Sequence, residues 1–115
     1  MPKLSGEQTL LRIFVGESRQ HGHRPLYEAL VELFRQEGFA GATVVKGVAG
    51  FGAHRVYHTQ KLIDLSADLP MVVEVVDSQE KIDAVMPLVD AMMDGGLVTT
   101  EKVNVVRYTH HRDGT

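Results

Sequence analysis

A chain of 115 residues, 43% apolar and 23% charged, can build one real core but not two. Its formal charge of −3 gives no general electrostatic grip on nucleic acid or an anionic membrane surface. Having no cysteine, it has no disulfide staple, thiolate metal site or cysteine nucleophile.

Residues 1–8 read as a flexible leader, with one lysine and no apolar stretch long enough for a signal peptide. No run approaches the roughly 18 apolar residues of a spanning helix, so a cytoplasmic protein is expected. TLLRIFVG (Thr9–Gly16) is apolar, rich in β-branched residues and ended by glycine, which predicts a buried strand. After the loop ESRQHGHR, Pro25 suits the first turn of a helix because its missing N–H has no partner to lose there. LYEALVELFRQEG then sets Leu26, Ala29, Leu30, Leu33 and Phe34 on one face and stops at Gly38.

ATVVKGVAG (Ala42–Gly50) predicts a second strand, and HTQKLIDLS alternates weakly enough for a short edge strand or hairpin arm. PMVVEVVD (Pro70–Asp77) is a strand with its proline at the first position, where no ladder bond is lost. Ser78 can cap a second helix whose apolar stripe is Ile82, Val85, Met86, Val89, Met92 and Met93. Pro87 lies inside that stripe and predicts a kink or a missing hydrogen bond, and Gly95–Gly96 ends it. A last strand is expected over Val103–Tyr108, before the polar tail 109–115. The order β-α-β, loop, β-α-β predicts a ferredoxin-like βαββαβ sandwich of the α+β class over residues 9–108. Both helices then lie on one face of an antiparallel sheet.

The chemistry-bearing stretches are few. VVKGVAGFGAHRVYHTQ (Val44–Gln60) holds Gly47, Gly50 and Gly52, whose backbone N–H groups could cradle phosphate oxygens. The plainer reading is that these glycines bend a strand at a sheet edge. No GKS/T ending makes a Walker loop, and no helix of the right spacing follows for a dinucleotide fingerprint. An RNA-binding sheet is disfavoured as well. Aligned on GFGA, Ala49 stands where a basic residue belongs, and Ala53 and Val56 stand where aromatics belong, leaving only Phe51.

Six histidines come as His21-x-His23, His54-x-x-x-His58 and His110-His111. These spacings are compatible with a metal, and equally with solvated loop residues. Ser18, Ser66 and Ser78 lack a nucleophile-elbow context, so nothing specifies an enzyme. Lys102 stands just before the last predicted strand and Arg107 near its end, and only the fold could bring them to the glycine loop.

GFAGATVVKGVAGFGAHRVYHT resembles the strand and loop of PII signalling proteins, where a G-x-x-G-x-T-V run leads through a K-G-F-G core into a flexible loop. EVVDSQEKIDAVMPLVDAM is similar to the strand and second helix of that family. LLRIFVGESRQHGHRPLYEALVELFRQEGFAGATV is closer still to a branch of uncharacterised PII-like proteins. The resemblance covers residues 9–108. It implies a homotrimer with sheets facing inward and adenine nucleotides, ADP, ATP or AMP, in clefts between subunits, with no required cofactor.

By position, the resemblance puts Thr43 at the adenine end, Gly50, Phe51 and Gly52 at the loop base, and Glu74 and Val76 along the adenine pocket. Lys102 and Arg107 are looser counterparts of phosphate-side basic residues. The implied function is a non-enzymatic regulator whose loop, residues 51–68, reports ligand state to a partner protein. An association of relatives in this branch with fluoride channels makes a membrane transporter or channel a candidate partner, and no nucleic acid is implied. Alternatives are a divalent-metal-binding trimer of the cation-tolerance type and a ligand-free adaptor.

Departures from the PII pattern leave the ligand open between ADP, AMP, a cyclic nucleotide and a vestigial pocket. Ala53 replaces an arginine, Met71 falls near a phosphate-side lysine, and GGLVTTEK replaces a Gly-Asp-Gly-Lys loop. Tyr57 does not match the tyrosine that some PII proteins modify.

Overall fold

The computed structural model describes residues 4–51, 57–59 and 68–109. Strand β1 runs Gly6–Gly16, and a small hairpin follows, β2 (Gln20–His21) and β3 (Arg24–Pro25). Helix α1 spans Leu26–Gln36, before β4 (Thr43–Lys46), β5 (Ala49–Gly50) and β6 (His58–Thr59). Strand β7 (Pro70–Asp77), helix α2 (Gln79–Met92) and strand β8 (Leu97–Val105) complete the order. The main sheet runs β4-β7-β1-β8, and each neighbouring pair is antiparallel. With the short hairpins set aside, this is the βαββαβ arrangement of a ferredoxin-like sandwich.

Alternation sorts the sheet into two faces. Leu11, Ile13 and Val15 of β1 and Met71, Val73 and Val75 of β7 are buried against Leu26, Leu30 and Phe34 of α1 and Ile82, Val85 and Val89 of α2. Removing each such side chain from water contributes about 1.5–3 kcal/mol, so this helix-covered face sets the fold. The intervening residues, among them Arg12, Phe14, Val72, Glu74 and Val76, occupy the face without helices and are only partly buried.

Each helix ends where its chemistry says it should. Gly38 takes a φ of +77° after α1. The N–H groups of Gly38 and Phe39 donate to the carbonyls of Arg35 and Phe34, at 3.1 and 3.0 Å. The rings of Phe34 and Phe39 meet edge to face at 5.0 Å, closing this left-handed stop with the apolar contact that usually accompanies it. At the start of α2, the Ser78 side-chain oxygen accepts from the Lys81 N–H at 3.2 Å. Pro87 is accommodated inside α2, which stays one helix from Gln79 to Met92.

Three predicted boundaries move. β1 begins at Gly6, so residues 6–8 pair with β8 and do not belong to a loose leader. The strand expected over Ala42–Gly50 is two strands in different sheets. It breaks at Gly47, whose N–H turns to the Pro70 carbonyl at 2.7 Å; an added Cβ would lie 2.6 Å from the Pro70 ring. The last strand is Leu97–Val105, not Val103–Tyr108. It starts as soon as the Gly95–Gly96 turn is complete, and it ends where its partner β1 runs out, at the pair Gly6–Val105. Most of the segment 51–68, expected to be a switch loop, lies outside the described residues. Among the described residues no helix is long and apolar enough to cross a membrane.

Candidate functional site

The register brings part of the expected site together. Thr43 at the start of β4 is paired with Glu74 of β7, and Glu74 with Arg12 of β1. Paired residues of antiparallel strands share a face, so Thr43, Glu74 and Arg12 form one row on the helix-free face. Val76 and its partner Leu10 lie one row along. Thr43 is exposed, Val76 half-buried and Leu10 buried.

Arg12 organises that row. Its Nε donates to Glu74 Oε2 at 2.7 Å and its Nη1 to Glu101 Oε1 at 2.5 Å. The hydrogen bond to Glu74, followed by that to Glu101, raises the guanidinium pKa above its usual range. Two carboxylates on one cation leave the group with one negative charge. Neither Arg12 nor Glu101 was a candidate from sequence. The available signal was a single base in TLLRIFVG and a single acid inside the apolar run MVVEVV, complementary charges in two apolar strands.

The glycine side of the site sits at the other end of β7. Gly50 belongs to the β5–β6 hairpin, and an added Cβ would lie 3.3 Å from the Pro70 ring. Phe51 follows, 68% exposed, and Gly52 lies outside the described residues.

Lys102 is far from these. It pairs with Thr9, itself opposite Asp77, and its Nζ donates to Gln79 Oε1 at 2.9 Å and Thr9 Oγ1 at 3.3 Å. Pro70 and Asp77 bound an eight-residue strand, roughly 23 Å at about 3.3 Å per residue. One chain therefore keeps Gly50 and Phe51 apart from Lys102. Arg107 is exposed just beyond β8, next to Tyr108, whose hydroxyl donates to the Ala40 carbonyl at 3.0 Å.

His21 and His23 stand exposed in the β2–β3 hairpin. Among the described residues no three His, Cys, Asp or Glu gather as a metal site.

This strand order, with both helices on one face, is that of the PII-like proteins. The fold is shared with the solved structure of CPII, a nitrogen regulatory PII-like protein from Thiomonas intermedia K12, bound to ADP, AMP and bicarbonate. The TM-score is 0.59 at 19% identity, covering 88% of this chain and 90% of that one. A structure of CPII bound to ADP and bicarbonate gives 0.54 at 20% identity, with the same coverage. At the level of sequence, residues 8–105 match the family described as DUF190, Uncharacterized ACR, COG1993, and the chain belongs to that family. A UPF0166 protein of Aquifex aeolicus (strain VF5) is 36% identical over 100 residues, 87% of this chain and 94% of its own length. A UPF0166 protein of Methanocaldococcus jannaschii is 30% identical over 99 residues, 85% of this chain and 91% of its own.

Proposed function

We propose that this chain is a non-enzymatic, cytoplasmic regulator that assembles as a trimer and binds an adenine nucleotide between its copies. The nucleotide's presence is passed to a partner protein through the segment after Gly50. The observation that carries this reading is the division of the candidate residues. Thr43, Glu74 and Val76 share the helix-free face, while Gly50 and Lys102 lie at opposite ends of the sheet. A second copy packed on that face could join the two ends into one pocket, which a single chain cannot do. The fold shared with CPII, which was solved with ADP and AMP, supports the ligand class.

In such a pocket the base rests against Thr43, Glu74 and Val76 of one copy, with phosphates near Gly50, Phe51 and Gly52. Lys102 and Arg107 supply positive charge from a neighbour. Ligand that contacts the loop in only one of its conformations shifts the population toward that conformation.

The test is calorimetric titration of metal-stripped protein with ADP, ATP and AMP, with bicarbonate and divalent metals as separate arms. Binding of one adenine nucleotide per chain is expected. Binding of a metal but no nucleotide would replace this reading with the cation-binding one. Binding of neither would leave the adaptor.

A further inference from the structure

Strand β4 carries Thr43, yet its side-chain tie is at the far end, where Lys46 Nζ lies 3.0 Å from Glu17 Oε2. All four of its residues are exposed, and it pairs with β7 alone. Gly41, just before it, has no heavy atom within 4 Å of where a Cβ would stand. The position of Thr43 therefore depends on the ladder to β7 and on how the backbone is anchored at each end of the strand. At the far end the anchors are the Gly47 bond to Pro70 and the Lys46–Glu17 ion pair.

At the near end the anchor is Ala40, gripped on both of its polar atoms. Its N–H donates to Asp77 Oδ2 at 3.1 Å, and its carbonyl accepts from the Tyr108 hydroxyl at 3.0 Å. Asp77 is only 6% exposed and also accepts from its neighbour's Ser78 N–H at 2.8 Å, so it is a fixed post. Tyr108 belongs to the irregular stretch after β8, on the opposite edge of the sheet from β4. Residues 106–108 thus carry the chain from the β8 edge back to the start of β4. Val106 is 87% exposed and Arg107 is exposed, whereas Tyr108 is partly buried, so the tyrosine is the point of attachment.

We propose that Val106–Tyr108 is a strap that positions Thr43 through the Ala40 carbonyl, making Tyr108 a positioning residue for the nucleotide site. The proposal rests on the nucleotide-binding reading above and adds a coupling to it. Arg107 precedes Tyr108 directly. A ligand phosphate that holds Arg107 favours the docked strap, and the docked strap fixes Thr43. Arg107 reaches the phosphates of a neighbouring copy's nucleotide, whereas Thr43 meets the base of its own copy's. Ligands in adjoining clefts are then linked through one hydrogen bond, and each strengthens the other.

The test compares the full chain with Tyr108→Phe, which keeps the ring and removes the hydroxyl. Amide exchange is read over residues 40–43, 72–76 and 106–109, and ADP binding is read by calorimetry. The loss of one neutral hydrogen bond predicts about threefold to tenfold faster exchange at 41–43, with exchange at 72–76 unchanged. ADP should bind the variant more weakly by a similar factor. In the unaltered chain, ADP should slow exchange over 106–109, a response that a purely structural tyrosine would not give.

Unchanged exchange at 41–43 in the variant overturns the strap. Faster exchange there with unchanged ADP affinity overturns the positioning role. If the unaltered chain binds no ADP, the functional reading falls, and the exchange comparison alone still decides whether the strap holds β4.

Discussion

Arg12 sits in the middle of β1 with two acids and no second base on its hydrogen bonds. Its side chain and those of Glu74 and Glu101 are 37%, 31% and 54% exposed, so solvent screens the group and its worth depends on salt. Arg12→Ala would leave the carboxylates of Glu74 and Glu101 flanking an apolar patch with no counter-charge. The variant should unfold at lower urea concentration than the parent in dilute buffer. The gap should narrow in about 1 M salt, where the Debye length falls to roughly 3 Å. Equal midpoints in dilute buffer would show that the row contributes nothing to the single chain. Arg12 and Glu74 were both visible in the sequence as lone charges in apolar runs. What the sequence could not supply was their pairing, because the register of β1 on β7 joins residues 62 positions apart.

Elements with one strong local signal were the legible ones. Helix α1 follows its 3.6-residue apolar stripe to a glycine stop, and β7 occupies Pro70–Asp77 as predicted. Ser78 caps α2 through the Lys81 N–H. Ser78→Ala should lower stability by about 0.5–2 kcal/mol, read as a shift in the denaturation midpoint with unchanged slope. A changed slope would mean instead that the native or denatured state has changed in compactness or that unfolding is no longer two-state. Strand β8 starts earlier than the sequence predicts because LVTTEKVNV has no apolar alternation. It is an edge strand, exposed or half-buried along its length, and its partner β1 supplies the order that its own side chains do not. The candidate site was legible to the same degree. Thr43, Glu74 and Val76 share a face because of strand pairing, whereas the Ala40–Tyr108 bond joins irregular segments with no sequence signature.

For the whole molecule the helix-free face is decisive. Val45, Val72, Phe14 and Leu97 form an apolar row across all four strands, with Val45 49% and Leu97 56% exposed. If this row packs between copies, Leu97→Lys should shift sedimentation at micromolar concentration from trimer to monomer, because a lysine would be desolvated there without a partner. A variant that sediments like the parent would place the contact elsewhere. Strand β1 has a further consequence for how the protein is made. It is the first major strand in the chain and lies inside the sheet, yet its partners β7 and β8 begin only at Pro70 and Leu97. At about 5–20 residues added per second, roughly 3–11 s of synthesis separate Gly16 from Pro70. Throughout that interval the nascent LLRIFV segment has both edges unpaired, so it must be shielded by chaperones or risk pairing with like strands on neighbouring ribosomes.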